Sequence, residues 1–261
     1  MIYLRDIRKN YCESKEFPFN IPAISSMEAI SITSPVAFFV GANASGKSTL
    51  LESIAIATKR TVVGGTSLER DETLDAIRPL ASNLKLAWNK RTSKGFFFRS
   101  EDFFNFMRRN KELSAGLDEL AERFKDDAVA RGSMLGQKRA LESRYGDLNA
   151  QSHGEGFLQV FKSRISSGGL YLLDEPEAAL SPLSQLSLLY LINQMLSDSE
   201  GAQFIIATHS PIIMSFPNAQ IFTFDEESIS VSKYEELEHV NLYKRFLSDP
   251  QKYLRNLFDD E

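Results

Sequence analysis

The hydrophobic positions of this sequence form three short, uninterrupted apolar runs. They cover residues 36–40, 170–173 and 203–207, in which only Gln203, at the start of the third run, is polar. Such continuity is typical of strands buried on both faces of a parallel sheet, whereas a half-exposed strand alternates apolar and polar residues. Residues 182–196, between the second and third runs, are rich in leucine at helical spacing. Strands that alternate with helices predict an α/β fold with a mostly parallel core sheet flanked by helices.

The two ends of the chain show other patterns. Residues 2–7 alternate apolar and polar positions, as a half-buried strand does, and the prolines within residues 17–22 make that segment at best an edge strand. These features predict an antiparallel β region over about residues 1–35. The sequence of residues 234–261 predicts a helical tail.

The middle of the chain carries a segment with many charges and no proline, at about residues 101–149. This composition indicates two or three exposed helices, and its heptad pattern is too short for a long coiled coil. We therefore predict a helical subdomain over about residues 95–150, inserted into a single domain of residues 1–261.

The composition narrows the class of protein. A hydrophobic fraction of 43% and a charged fraction of 25% are ordinary for a soluble globular chain and exclude a disordered or collagen-like one. No apolar run reaches the ~18 residues of a membrane-spanning helix, and the first residues lack a secretion signal. The single cysteine, Cys12, cannot form an internal disulfide and suits a reducing compartment. We therefore expect a cytoplasmic protein.

The net charge of −5 argues against a protein dominated by a basic surface for nucleic acid. Two local clusters nevertheless leave room for a basic patch. They consist of Lys90, Arg91, Lys94 and Arg99, and of Arg108, Arg109 and Lys111.

A glycine-rich octapeptide directly after the first apolar run fits the phosphate-loop pattern G-x-x-x-x-G-K-[ST]. Its residues, with the next one, are Gly41, Ala42, Asn43, Ala44, Ser45, Gly46, Lys47, Ser48 and Thr49. In such a loop, backbone N–H groups and a helix N-terminus surround the phosphates of a nucleotide. Lys47 is the candidate contact to the β- and γ-phosphates, and Ser48 is the candidate Mg²⁺ ligand. The alternative is a glycine-rich turn capped by Ser45.

The second apolar run ends in two carboxylates, Asp174 and Glu175. An acid at the tip of a strand beside a phosphate loop can hold Mg²⁺, which suits Asp174. The carboxylate that follows can orient water and accept its proton, which suits Glu175. The alternative is that both acids, with Glu177, merely begin the next helix.

The phosphate loop, the sequence Asp174-Glu175-Pro176 and the sequence Ala207-Thr208-His209-Ser210, in this order, resemble the ABC-type ATPase superfamily. Within it, the chain is most similar to small stand-alone bacterial ATPases that are often labelled AAA-family. The resemblance implies ATP and Mg²⁺ as cofactors, with His209 as the residue that senses the γ-phosphate. It also implies that residues 178–181 cross a dimer interface.

The resemblance further implies a signature segment upstream of the acidic strand. Ser152, Gly154 and Glu155 would there contact the nucleotide that a partner subunit holds. Ser152 and Glu155 also fit a capping box at the start of a helix, which is compatible with that role. For His209, the alternative is that Ser210 and Pro211 cap a helix and the histidine is incidental.

The sequence departs from the superfamily pattern in several places. It has no glutamine before Gln137, although the superfamily places one between the phosphate loop and the signature. The phenylalanine-rich residues 95–104 lie near that place, and their phenylalanines are expected to be core, with a partner surface as the alternative. His153 and Glu155 replace the usual glycine and glutamine of the signature, and Ser181 stands where an aspartate is common. The candidates for stacking on adenine are Tyr11, Phe17 and Phe19, each of which could equally be packing.

The motifs predict an ATPase, and the resemblance implies that it forms an ATP-dependent, head-to-tail homodimer with two sandwiched nucleotides and acts on an unknown effector protein. One alternative is the ATP-binding subunit of an ABC membrane transporter, which the missing glutamine disfavours. The other is a nucleic-acid-associated ATPase of repair or defence, for which DNA or RNA is a weak partner hypothesis.

Overall fold

The computed structural model describes residues 1–64, 68–145, 153–165, 168–224 and 228–258. Within these residues the strands are β1 (Leu4–Lys9), β2 (Ala29–Ser31), β3 (Val36–Gly41), β4 (Thr61–Val62), β5 (Leu84–Trp88), β6 (Phe96–Arg99), β7 (Leu170–Asp174), β8 (Gln203–Ala207), β9 (Gln220–Phe224) and β10 (Ile229–Ser232). The α-helices are α1 (Pro22–Ser26), α2 (Lys47–Ala57), α3 (Arg78–Asn83), α4 (Ser100–Arg123), α5 (Ala128–Tyr145), α6 (His153–Arg164), α7 (Pro182–Ser197), α8 (Pro211–Met214), α9 (Glu238–Ser248) and α10 (Pro250–Phe258). Short 3-10 helices cover Glu72–Leu74, Pro176–Ala179 and Tyr234–Glu236.

The core is a seven-stranded sheet in the order β10-β9-β3-β8-β7-β6-β4. All neighbouring strands from β9 to β4 are parallel, and β10 pairs with β9 in the antiparallel sense. The three apolar runs of the sequence form its central strands β3, β8 and β7. The predicted α/β fold with a mostly parallel sheet is therefore confirmed.

Successive residues of β3 point to opposite faces of this sheet, and both faces are covered. Val36, Phe38 and Val40 pack on the face that α7 covers. Ala37 and Phe39 pack on the opposite face, against α2 and the N-terminal strands. All five side chains are at most 1% exposed, which explains why the run contains no polar residue.

The N-terminal region contributes a separate antiparallel sheet, in the order β2-β1-β5. Residues 17–22, predicted to form at best an edge strand, form no strand. Phe19 and Asn20 donate backbone hydrogen bonds to the Glu16 carbonyl, so the segment is a turn, and Pro22 occupies the first turn of α1. Proline supplies no N–H for a ladder but fits the start of a helix, which accounts for the difference.

The charged middle segment forms the antiparallel helices α4 and α5. Residues 96–99, at the start of the predicted subdomain of about residues 95–150, are instead strand β6 of the core sheet, so the helices begin at Ser100. The expectation that the phenylalanines here are core is confirmed for Phe96, Phe97, Phe98 and Phe103, which are at most 4% exposed. Phe104 is 38% exposed.

The last helices that the structure describes are α9 and α10, within the predicted tail of residues 234–261. Leu237 and Val240 anchor the start of α9, because both are buried in the core, and the Tyr234 hydroxyl donates a 3.0 Å hydrogen bond to the Pro211 carbonyl. Among the helices that the structure describes, none is long and apolar enough to cross a membrane.

Candidate functional site

The carboxyl ends of four parallel strands meet at one edge of the core sheet. The backbone register pairs Arg99 of β6 with Asp174 of β7, and Asp174 with Ala207 of β8. It also pairs Ala207 with Phe39, near the end of β3. The phosphate-loop residues, the two acids and His209 follow these strand ends, so the topology brings them together. Ligands of open parallel sheets bind at such an edge.

The phosphate loop turns sharply between β3 and α2. Gly46 has a φ of 101° and Ala44 a φ of 61°, both in the left-handed region. A Cβ on Gly41 would lie 2.4 Å from the Phe224 carbonyl oxygen, so this position has no room for a side chain. The Lys47 ammonium points back into the loop and donates hydrogen bonds to the carbonyls of Gly41, at 3.0 Å, and Ala42, at 2.7 Å.

Lys47 is only 4% exposed although it is charged. Burial lowers its pKa, while the carboxylates of Glu175, Asp174 and Glu177 act in the opposite direction. A buried ammonium at the N-terminus of α2, held by two carbonyls, is a strong local centre for binding an anion.

Two oxygen groups fit the predicted Mg²⁺ site. The Ser48 hydroxyl donates a 2.9 Å hydrogen bond to Oδ1 of Asp174. Burial, followed by the nearby charge of Glu52, raises the pKa of Asp174 to about 7, so a divalent cation would displace a proton there. Among the described residues, no group of three or more His, Cys, Asp or Glu is arranged to hold a metal ion. A hydroxyl plus one carboxylate suits Mg²⁺, which usually keeps waters and binds substrate phosphates.

Glu175 and His209 lie opposite each other at this edge. Nε2 of His209 is 3.7 Å from Oε1 of Glu175, and the backbone N–H of His209 donates a 2.6 Å hydrogen bond to Glu177. Burial and the charge of Lys47 lower the pKa of His209, so its ring is neutral near pH 7. Ser210 caps α8 through Ile212 and Ile213, as the alternative from the sequence proposed, and this cap fixes the backbone beside His209.

Oγ of Ser45 and Nε2 of His209 are buried polar atoms at the site that have no hydrogen-bond partner among the described residues; Oε2 of Glu177 is a third. Buried polar groups are normally paired, so unpaired ones at a ligand edge indicate where a polar ligand contacts the protein. The positions of Ser45 and His209, in the phosphate loop and at the end of β8, fit the phosphate groups of a nucleotide.

An open cavity of about 1520 Å³ extends from the phosphate loop and His209 along α9. His239 and Tyr243 of α9 line its far wall. Tyr11, Phe17 and Phe19, the adenine-stacking candidates, are not among its lining residues. Tyr11 and Phe17 are exposed, and Phe19 packs in the core near the N-terminal sheet.

The described residues of the signature segment, Gly154 and Glu155, belong to α6. Ser152 falls outside the described residues. Gly154, near the start of α6, packs on the start of α7, where an added Cβ would lie 3.0 Å from Oγ of Ser184. Glu155 is exposed on α6, and neither described residue lines the cavity of the phosphate loop.

Sequence reasoning missed a buried ionic cluster beside the site. It is centred on Arg99, which pairs with Asp102 at 2.7 Å, Asp71 at 2.6 Å and Glu52 at 3.3 Å. The sequence placed Arg99 in a candidate basic surface patch. Because Arg99 is only 5% exposed, it is not part of such a patch. The sequence signal was an arginine that directly follows three phenylalanines of a buried strand, but its partners come from distant segments.

Comparisons with solved structures place the fold. A structure described as "An inward-facing conformation of a putative metal-chelate type ABC transporter" is 16% identical, with a TM-score of 0.50, over 95% of this chain and 90% of that chain. The cbiO1 protein from Clostridium perfringens, part of the ABC transporter complex cbiONQ, is 16% identical, with a TM-score of 0.47, over 96% and 97%. The Smc head domain from Pyrococcus furiosus is 13% identical, with a TM-score of 0.46, over 94% and 100%. At 16% identity, the first of these likenesses concerns the fold alone.

Sequence comparison identifies the family. No curated protein matches the sequence. The family model described as "AAA domain, putative AbiEii toxin, Type IV TA system" matches residues 69–215, more than half of the chain. The matched stretch includes the acidic strand end and His209, and the phosphate loop precedes it. The chain therefore belongs to this AAA_21 family, within the superfamily of P-loop ATPases of the ABC type.

Proposed function

We propose that this protein binds and hydrolyses ATP with Mg²⁺ at the sheet edge formed by the phosphate loop and the ends of β7 and β8. The observation that carries the proposal is the 2.9 Å contact between the Ser48 hydroxyl and Asp174, directly beside the buried Lys47. This contact places the two candidate Mg²⁺ ligands, Ser48 and Asp174, next to the Lys47 ammonium that would bind the phosphates.

Each residue has a separate task in this proposal. Backbone N–H groups of residues 41–49 and the Lys47 ammonium hold the phosphates, and Ser48 and Asp174 hold Mg²⁺. When bound, Mg²⁺ would neutralise part of the negative charge of the phosphates. Glu175 orients the attacking water and accepts its proton. His209, which is neutral near pH 7, donates a hydrogen bond from its ring to the γ-phosphate.

The proposal includes a second copy of the chain. Gly154 and Glu155 do not line the cavity of the phosphate loop of their own chain, so in this proposal they contact, together with Ser152, the ATP that a partner holds. Ala178 and Ser181, in the segment proposed to cross the dimer interface, are exposed and available to a partner. We therefore propose a head-to-tail homodimer that closes on two ATP·Mg²⁺ and opens after hydrolysis.

The dimer would act on a further protein in the cytoplasm. DNA or RNA is a weaker candidate, because two cations of the predicted basic patch are engaged elsewhere. Lys94 forms a 2.8 Å ion pair with Glu200, and Arg99 is buried among carboxylates. ATPase stimulation by DNA that disappears as salt rises would favour nucleic acid instead.

The test is ATP hydrolysis by the purified protein with Mg²⁺, alongside Lys47→Ala, Glu175→Gln and the control Lys85→Ala. Lys85 is an exposed lysine on β5, outside the site. We expect Lys47→Ala to lose ATP binding, and Glu175→Gln to bind ATP but hydrolyse it at least about a hundredfold more slowly. A wild-type protein without ATPase activity, or a Lys47→Ala variant that binds ATP normally, would overturn the proposal.

A further inference from the structure

The backbone turn that carries Glu175 has an unusual conformation. Glu175 has φ 46° and ψ 52°, in the left-handed region that residues with a side chain rarely adopt. Such a conformation persists only where surrounding contacts hold it. The contacts of this turn therefore decide where the Glu175 carboxylate points.

Contacts from both neighbouring strands hold this turn, and the Ala178 N–H adds a 3.0 Å hydrogen bond to the Glu175 carbonyl. The Glu175 N–H donates a 2.9 Å hydrogen bond to the Ala207 carbonyl on β8. On the β6 side, the Ser100 hydroxyl donates a short hydrogen bond to the Glu175 carbonyl and lies 3.4 Å from the Asp174 carbonyl. The Ser100 side chain thus contacts the backbone carbonyls of both Asp174 and Glu175.

Ser100 is itself firmly placed. It directly follows Arg99, which is in register with Asp174 and forms buried ion pairs with Asp71 and Asp102. Asp102 lies in the first turn of α4, so the strand end and the helix start around Ser100 are fixed to each other. A hydroxyl on such a rigid junction can impose a position on its acceptor.

We propose that Ser100 is a positioning residue for catalysis, holding the Asp174–Glu175 turn in its left-handed conformation so that the Glu175 carboxylate faces the attacking water. The inference rests on the proposed ATPase function, because Glu175 is the base of that reaction. Ser100 makes no contact with substrate in this assignment; it acts through the backbone of Glu175.

The test compares kcat, KM and the Kd for ATP·Mg²⁺ in Ser100→Ala, Ser100→Thr and the control Ser197→Ala. Ser197 is matched in chemistry, since its hydroxyl donates to the Asn193 carbonyl, at 3.0 Å, near the end of α7. Loss of one hydrogen bond that orients the base should lower kcat of Ser100→Ala about tenfold, with KM and Kd changed less than about twofold. Ser100→Thr keeps the hydroxyl and should recover most of the rate, and Ser197→Ala should match the wild type.

A double variant separates positioning from a general structural effect. If Ser100 acts through Glu175, adding Ser100→Ala to Glu175→Gln should change the residual rate less than about twofold. The same tenfold loss in both backgrounds would overturn the proposal, as would a Ser100→Ala variant with wild-type kcat. Hydrogen exchange gives a readout that needs no activity. The Glu175 amide should exchange faster in Ser100→Ala but not in Ser197→Ala, and unchanged exchange would refute the inference.

The two hypotheses fail in different ways. A wild-type protein without ATPase activity overturns the proposed function, while the exchange measurement still decides whether Ser100 holds the turn. An active wild type with a fully active Ser100→Ala variant overturns only the role of Ser100.

Discussion

Replacing Glu52 by glutamine should make the stability of the protein less dependent on pH. Glu52 lies one turn after Ser48 on α2, with its side chain 12% exposed and 3.3 Å from the guanidinium of Arg99. Burial raises the pKa of Glu52 from 4.5 to about 7; the charge of Arg99 opposes this, and those of Glu101 and Asp71 add to it. The folded protein therefore keeps a proton on Glu52 that the unfolded chain has already lost.

The sign of the effect follows from proton binding. Between pH 4.5 and about 7 the folded state binds more protons than the unfolded state, so the free energy of unfolding falls as pH rises through this window. Above about pH 7 Glu52 is ionised in both the folded and the unfolded state, so the free energy of unfolding falls no further. At 1.36 kcal/mol for each pH unit, the difference between 4.5 and about 7 corresponds to a loss on the order of 3 kcal/mol.

Glu52→Gln keeps the shape of the side chain but cannot ionise. Its free energy of unfolding should therefore rise relative to that of the wild type as pH increases, by an amount on the order of 3 kcal/mol between about pH 5 and about pH 8. Urea unfolding of both proteins, followed by circular dichroism, measures this difference.

The control is Glu200→Gln. Glu200 is exposed, and the hydrogen bond and charge of Lys94 lower its pKa, so its contribution is lost only as pH falls below the unfolded value of 4.5. Its difference from the wild type should stay constant from about pH 5 to about pH 8. A constant difference for Glu52→Gln over the same range would refute the assignment of a raised pKa to this buried carboxyl.

Two further substitutions test the packing of the site. Arg99→Met leaves Asp71 and Asp102 buried without their cation, so it should lower the free energy of unfolding by about 3–5 kcal/mol and Tm by about 6–20 °C. Calorimetry would measure both quantities. The control is Arg5→Met at an exposed position, whose free energy of unfolding should lie within about 1 kcal/mol of that of the wild type. Equal losses of stability in the two variants would contradict the buried cluster. Glu175→Gly removes the base but relaxes a left-handed residue, so it should abolish hydrolysis and raise the free energy of unfolding by about 1 kcal/mol. A destabilised Glu175→Gly variant in the same urea assay would show that the turn is not strained.

The sequence predicted the elements whose local pattern is strong. Residues 203–207 were predicted as a strand and form β8; residues 204–207 are apolar because the strand is buried on both faces. The phosphate loop was found because its glycines and lysine have fixed spacing. Asp174 and His209 could be placed at one edge with it, since both follow strands of the same parallel sheet.

Other features depend on contacts between distant parts of the chain. The partners of Arg99 come from three places: Glu52 from α2, Asp71 from the segment before α3, and Asp102 from α4. No local sequence pattern therefore predicts the cluster. The cavity wall formed by α9 depends on how the chain returns to the phosphate loop after β10. In the sequence, nothing distinguishes Ser100 from other serines at the start of a helix. Its hydroxyl reaches the Glu175 carbonyl only because β6 pairs with β7.

The central claim is that two copies of this chain close on ATP. Multi-angle light scattering of Glu175→Gln, with and without ATP·Mg²⁺, tests it most directly, because that variant should bind ATP without hydrolysing it. The account predicts a monomer of 29.4 kDa without nucleotide and a mass of twice that value only when ATP and Mg²⁺ are both present. A mass that stays at the monomer value while ATP is demonstrably bound would contradict the head-to-tail dimer.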